Sequence, residues 1–355
     1  MKKILIISTG GTFSAEDSGG GLDPQFKINE ILKKFLNSRV PEDAEGKGKK
    51  KDFFVFQDQK TAEIVKIKAI QLLSLDSTNV EPKHWSLIAQ TIYQNYEIFD
   101  VFIVIHGTDT MPFSAAALSF ALQNLSKPVV FTGSIYPINH PQSDVKSNLL
   151  DAISLAISQL VTEVCICFQG KVIRGTKARE MLNGASRIYP PGVNFFSSIN
   201  IPFLGEIKDG KVLINSKAKN NRPKDLNLLA KFSKKVSLLK IFPGQEENLE
   251  KIKSRAIVLE SFAVGNVPTS YLSGLEKLTK KGILVLVTTQ NPFGAADMSL
   301  YKVGQDARQA GALSACNMTT ETALVKLMWI LGNFNPSNEE LRELVQKDFC
   351  GEGLG

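Results

Sequence analysis

Ile4-Leu5-Ile6-Ile7-Ser8-Thr9-Gly10-Gly11-Thr12 sets an apolar run against a glycine turn with a threonine hydroxyl on either side. An apolar strand ending in such a turn is a good place to hold a reacting carbonyl. The stretch Val101-Phe102-Ile103-Val104-Ile105-His106-Gly107-Thr108-Asp109-Thr110-Met111 has a similar build, a buried strand giving way to a polar turn ahead of a helical segment. Thr108 and Asp109 then fall at the carboxyl edge of a sheet, where open α/β sheets commonly place their ligand crevice. Thr12 and Thr108 are expected to converge there despite their separation in sequence.

Working outward, the pattern predicts strands at Ile4 to Ser8, Phe53 to Phe56, Val101 to His106, Pro128 to Thr132 and Val164 to Phe168. Helices are predicted between them at Pro24 to Leu36, Pro82 to Tyr96, Phe113 to Leu125 and Val145 to Leu160. Strands separated by helices imply right-handed crossovers and a parallel sheet covered by helices. After a changeable segment the organisation repeats: strands near Val236 to Ile241, Ala256 to Glu260 and Ile283 to Thr288, with helices near Ser270 to Lys280 and Thr320 to Leu331. In the last helix Leu324, Leu327, Met328 and Leu331 make a core-packing face. The fold class is therefore α/β in two layered domains, a larger N-terminal domain over 1–200 and a smaller C-terminal one over 230–355, joined by 201–229.

The 355 residues, 43% of them hydrophobic, suffice for folded cores. A formal charge of +7 comes from 42 basic and 35 acidic residues spread along the chain, which does not point to nucleic acid. The run Lys47 to Lys51 reads as a solvated loop, with an anionic docking patch as its alternative. Two lysines precede the first strand, but the glycine turn follows quickly without a secretory cleavage region, so a cytoplasmic location is expected. No apolar segment approaches the roughly 20 residues of a membrane helix. Cys165, Cys167, Cys316 and Cys350 form no CxxC or zinc-like set, and reduced packing cysteines are expected. HExxH, Walker A, complete GxGxxG and GxSxG patterns are missing, so neither metal nor cofactor is expected.

A threonine hydroxyl is a weak nucleophile until another group removes its proton, and an amide's developing oxyanion needs donors around it. Read alone, Thr12 and Thr108 are more readily caps or turn residues than nucleophiles, and Asp109 orients an ammonium or a proton-transfer group. His106, at a strand end, is expected to orient its turn by packing or hydrogen bonding, with direct catalysis as the lesser alternative.

Taken together, STGGTFS, DSTN, HGTDTM, FTGS, SDVKSNLLDA, RGTKARE, FAVGN and NMTTETALVKL resemble the threonine-dependent L-asparaginases, especially the cytoplasmic type I branch, in order and over nearly the whole chain. The resemblance implies an asparaginase-like two-domain fold and hydrolysis of L-asparagine to L-aspartate and ammonia, with L-glutamine as a weaker second substrate. It assigns Thr12 as first nucleophile, Thr108 and Asp109 as the second catalytic threonine and its acidic neighbour, and Ser77 and Thr78 to substrate binding. Ser77 would take the substrate α-carboxylate and Asp109 the α-ammonium. It also implies a homodimer or homotetramer in which the C-terminal domain completes a neighbouring site, with Asn266 contributing. No nucleic-acid or membrane partner is expected.

Two residues depart from the family pattern. Leu22 stands near the position of a mobile-loop tyrosine and lacks its hydroxyl. In Arg174-Gly175-Thr176-Lys177-Ala178-Arg179-Glu180, a gap-free match puts Glu180 where the catalytic lysine belongs. Lys177, three residues earlier, is the candidate to fill that role if the local turn shifts; Arg179 restores charge but is a poor base. An amidohydrolase for another small amide, and a catalytically impaired amino-acid-binding protein, are the alternative readings.

Overall fold

A computed structural model describes residues 1–17, 21–36, 53–57, 63–183, 190, 192–215, 225–245 and 249–353. The lysine run at 47–51 lies outside them. The first half contains β1 (Lys2–Gly10), a hairpin of β2 (Ala15–Asp17) and β3 (Leu22–Pro24), α1 (Ile28–Phe35), β4 (Phe54–Gln57) and β5 (Ile64–Leu75). Then come α2 (Pro82–Asn95), β6 (Val101–Ile105), α3 (Met111–Ala121), β7 (Leu122–Gln123), β8 (Val129–Thr132), α4 (Val145–Ser158) and β9 (Val164–Phe168). Shorter strands follow: β10 (Lys171–Arg174), β11 (Ala178–Glu180), β12 (Phe196–Ser198), β13 (Gly205–Lys208) and β14 (Lys211–Ile214).

Among the described residues these build a nine-stranded sheet in the order β14-β13-β10-β9-β8-β6-β1-β5-β4. Its centre, from β9 to β5, is parallel, and only its margins are antiparallel. β13 and β14 extend the sheet with residues from the stretch read as a connection. β1 lies between β6 and β5: Ile4 faces Val101 on one side and Ile67 on the other, and Ile7 faces Val104 and Ile70. Helices cover both faces, so the middle of the strand, Ile4 to Ile7, is apolar at every position rather than at alternate ones. Leu5 and Ile7 belong to the core with Phe102, Ile88 of α2 and Phe120 of α3, whereas Ile4 and Ile6 belong to the core with Ile31 of α1 and Leu149 of α4. Cys165 and Cys167, on one face of β9, are free thiols in this second core, and burial raises the proton affinity of both.

The second half adds β15 (Asn227–Leu228), β16 (Val236–Lys240), β17 (Ala256–Ser261), α5 (Leu272–Lys280), β18 (Leu284–Thr289), α6 (Lys302–Gln309), β19 (Leu313–Ser314), α7 (Thr320–Asn333) and α8 (Asn338–Gln346). A parallel sheet β16-β17-β18-β19 forms the smaller domain. Its α7 packs on α3, where Trp329 stacks on Phe120 with ring centroids 5.4 Å apart. Side chains of both domains thus share one apolar core. Among the described residues no helix is long and apolar enough to cross a membrane.

Asp348 to Glu352 closes the seam between the domains. Lys326 of α7 and Glu352 are both essentially inaccessible and pair at 2.7 Å. Glu352 also accepts from the backbone of Phe349 and Cys350, and Lys326 donates to the Lys347 carbonyl. Gly351, at φ 92°, lies so close to Arg174 that an added Cβ would be 3.1 Å from its Nε. Removing one partner of a buried ion pair leaves the other charge uncompensated, at about 3 to 5 kcal/mol. Glu352→Ala should lower the stability measured by urea unfolding by that amount; an unchanged midpoint would contradict this account of the seam.

Candidate active site

Three adjacent parallel strands, β5, β1 and β6, end at the same edge, and their following turns touch. Gly10 and Gly11 have φ of 106° and 75°, conformations that favour glycine. A Cβ on Gly11 would stand 2.5 Å from Gly107 Cα, and one on Gly107 would stand 2.6 Å from Ser77 Oγ. The turns carrying Thr12, Thr108 and Ser77 are therefore pressed together. Hydrogen bonds fix the register: Gly11 N donates to Leu75 O at 2.9 Å and Thr9 Oγ1 to Ile105 O at 2.9 Å.

Ser77-Thr78-Asn79 forms a single 3-10 turn. Asp76 caps it, accepting from Thr78 N at 2.9 Å and from the Thr78 hydroxyl. That hydroxyl also lies 3.4 Å from Asp109 Oδ2, and Thr110 Oγ1 donates to Ser77 O at 2.7 Å. The structure thus brings together Thr12, Ser77, Thr78, Thr108 and Asp109. Asp76 and Thr110 complete the fastening; the DSTN cap was the sequence signal for the first, whereas Thr110 had none.

His106 is fully buried beneath the second turn. Its Nδ1 is 2.7 Å from the Gly107 carbonyl oxygen, which only accepts, so Nδ1 carries the proton. Nε2 accepts from the Ser114 hydroxyl at 2.9 Å, and that hydroxyl accepts from Trp85 Nε1 at 2.9 Å. Burial lowers the imidazole pKa to about 4. His106 is a neutral brace for the Gly107 turn.

β11 presents different chemistry on its two faces. Side chains alternate along a strand. Ala178 enters the core and β11 packs on α3, so Glu180 two residues on faces the loop ahead of α3. There it receives a hydrogen bond from Thr108 and feels the charge of Asp109. Burial first, and Asp109 second, raise its pKa to about 7, against the hydrogen bond from Thr108. Arg179 points the other way, its Nε 3.3 Å from Glu321 Oε1 and its Nη2 3.7 Å from Glu260 Oε1.

Lys177 goes elsewhere than the expectation of a shifted turn required. It is fully buried and donates to Asn317 Oδ1 at 2.7 Å and Asn317 O at 3.1 Å. Burial lowers its pKa to about 8, opposed chiefly by Glu352. The turn keeps its register because Lys177 N bonds Arg174 O, and β11 then pairs residue for residue with β12. An offset of three along this chain puts Lys177 and Glu180 on opposite sides. Leu22 lies in the hairpin that follows Thr12, its backbone paired with Asp17. Asn266 is on the C-terminal domain in the turn after β17, bridged to Phe262, with its side-chain oxygen buried and, among the described residues, without a hydrogen-bond partner.

Two hydroxyls on touching turns, a carboxylate at their rim and backbone N–H groups nearby can hold a small polar molecule by both ends and attack a carbonyl between them. Among the described residues no group of three or more His, Cys, Asp or Glu is placed to hold a metal ion. The chain matches "Asparaginase, N-terminal" over residues 3–220 and "Glutaminase/Asparaginase C-terminal domain" over 235–345. It belongs to the asparaginase family.

As an asparaginase-family protein it is 30% identical to the L-asparaginase of Thermococcus kodakarensis over 99% of both chains. The solved structure of that thermostable enzyme matches it with a TM-score of 0.83 at 29% identity, over 99% of each chain. L-asparaginase I from Vibrio cholerae matches with a TM-score of 0.80 at 28% identity, over 99% of this chain and 98% of that one. A glutamyl-tRNA(Gln) amidotransferase component from Pyrococcus abyssi is 30% identical over 99% of this chain and 77% of its own length. The two-domain fold is that of the asparaginases, and the family supports amide hydrolysis in general.

The brace beneath this asparaginase-family site has a pH signature. The pKa of His106 falls from 6.5 to about 4 on folding, so its contribution to stability is complete above 6.5 and is lost as pH falls toward 4. In ¹⁵N NMR its ring should remain the neutral Nδ1–H tautomer from pH 8 to about 5.5. Titration near 6.5 would contradict the buried, hydrogen-bonded placement.

Proposed function

We propose that the protein hydrolyses L-asparagine to L-aspartate and ammonia, with L-glutamine as a weaker second substrate, in the cytoplasm. The observation that carries this reading is the pressing together of the Thr12, Ser77 and Thr108 turns with Asp109 beside them. Ser77, with the backbone donors of its turn, binds the substrate α-carboxylate, and Thr78 holds the neighbouring Asp109, which binds the α-ammonium. The side-chain amide then lies between Thr12 and Thr108.

Thr12 attacks the amide carbon, ammonia leaves, and water directed by Thr108 releases L-aspartate from the acyl-enzyme. Direct attack by water at Thr108 is the competing order of events, and both need Thr108 deprotonated or polarised. Glu180 stands at the family's lysine position, a reading supported by the unshifted turn and by its contact with Thr108. The proton-transfer role then falls to Glu180 rather than Lys177, and Leu22 supplies no hydroxyl to Thr12.

The protein assembles as a homodimer, or as a tetramer of two dimers, in which Asn266 reaches a neighbouring site. The second reading, an amino-acid-binding protein without turnover, is favoured by one feature, the carboxyl of Glu180 beside that of Asp109.

Purified protein mixed with L-asparagine should yield ammonia and L-aspartate in equal amounts. Bound but unchanged asparagine would favour the binding protein. Thr12→Ala should lower turnover by roughly three orders of magnitude or more with the melting temperature nearly unchanged. Thr108→Ala should also suppress it, and accumulation of acyl-enzyme in that variant would assign Thr108 to the second step. Turnover undiminished in Thr12→Ala would remove that residue from the nucleophile's role. By light scattering the native mass should be two or four chains; a fully active monomer would overturn the assembly.

A further inference from the structure

We infer that Glu180 is a catalytic base which takes the Thr108 proton, and that a ligand ammonium docking on Asp109 readies it to do so. The inference rests on the proposed hydrolysis at Thr12 and Thr108. It begins with the two-sidedness of β11. Ala178 anchors one face against α3, which holds Glu180 toward Thr108, while the opposite face gives Arg179 to Glu260 and Glu321. Lys177, just before the strand, is held by Asn317. A carboxylate that accepts from the Thr108 hydroxyl is already placed along the path of that hydroxyl's proton.

The electrostatics agree with this placement. A general base works best when its pKa lies near the working pH, and burial with Asp109 holds Glu180 at about 7. The groups facing it are Thr108 and Asp109 from the loop ahead of α3, and Phe196 is its partner on β12. Behind Asp109 stand Thr78 and Asp76. Asp109 is therefore both the site's carboxylate for an ammonium and the charge that, added to burial, favours a proton on Glu180. An α-ammonium paired with Asp109 cancels that repulsion, so Glu180 releases its proton more readily in the complex than in the free protein.

The transfer balances without any further reagent. As the oxygen of a water forms its bond to the acyl carbon, its proton passes to Thr108 Oγ1 and the Thr108 proton passes to Glu180. The carbonyl electron pair moves onto oxygen. When it returns, the ester bond to Thr12 breaks, and the proton held by Glu180 goes back through Thr108 to the departing Thr12 oxygen. An acid and a free Thr12 hydroxyl result.

Two measurements on the intact chain test this. In ¹³C carboxyl NMR, with the Glu180 signal assigned by its loss in Glu180→Gln, the Thr12→Ala protein should titrate Glu180 near neutral pH. Saturating L-asparagine should move that titration to lower pH. In kinetics, kcat/KM of the native protein should rise with pH through the free-enzyme value near 7, with the kcat limb at lower pH. Glu180→Gln should lower kcat by about 100-fold or more with KM little changed, and Glu180→Asp should recover part of the loss. Hydrolysis with an undiminished Glu180→Gln rate, a titration indifferent to ligand, or a Glu180→Lys protein faster than native would each overturn the inference alone. A native protein that turns over no asparagine would overturn the hydrolase reading, and the catalytic claim with it.

Discussion

The close approach of Gly11 to Gly107 is the constraint on which the site depends. Adjacent parallel strands run about 4.8 Å apart, and turns leaving them at the same edge collide unless one or both lack side chains. Here both do, and Ser77 fills the space beyond Gly107. Three polar turns can then occupy a volume that ordinary residues would have kept open. Strand order does the remaining work: β1 lies between β5 and β6, so segments starting at residues 2, 64 and 101 deliver their turns to one place. His106, neutral and hydrogen-bonded at both ring nitrogens, supports the Gly107 turn from below without lending it charge.

The C-terminal domain acts on this edge through β11. Arg179 is gripped by carboxylates from β17 and α7, and Lys177 by Asn317 ahead of α7. Both cations of the segment are thereby drawn toward the smaller domain, and alternation along the strand leaves Glu180 facing the larger one. At the same seam Arg174, paired with Glu163 within the larger domain, lies against Gly351, next to the Lys326–Glu352 pair of the smaller one. Buried ion pairs contribute modestly to stability, but they tolerate few alternative arrangements, which suits a junction where a shift of one residue would exchange Arg179 for Glu180 at Thr108.

Much of this was legible in the sequence because the buried parallel strands are apolar without interruption and end in glycine turns. Val101 to Ile105 and Val164 to Phe168 announced themselves in that way. β5 did not: it is one strand in from the margin, only half covered, and Lys66, Lys68 and Gln71 interrupt its apolar residues. α6 and α8 are charge-rich and escape the apolar pattern, although Ser337 and Glu340 form a reciprocal cap that the sequence carried. The convergence of Thr12 and Thr108 followed from strand ends alone. The direction of Lys177 was not available at that level. It depends on a backbone hydrogen bond to Arg174 and on pairing with β12, contacts that residue spacing alone does not specify.

A carboxylate at Thr108 changes the physical problem the site must solve. A cation there would be attracted to Asp109 and would remain charged without help. Glu180 is instead repelled by Asp109 and desolvated by its surroundings, and either effect favours a bound proton. The Thr108 hydrogen bond pulls in the opposite sense, so the group sits near neutrality rather than at either extreme. Burial sets most of that balance and the charge on Asp109 adds to it; in the proposed hydrolysis, that charge is the one an amino-acid ammonium would neutralise. On that proposal, recognition of one end of a ligand and activation at the other are coupled through the charges of two acidic side chains, Asp109 and Glu180.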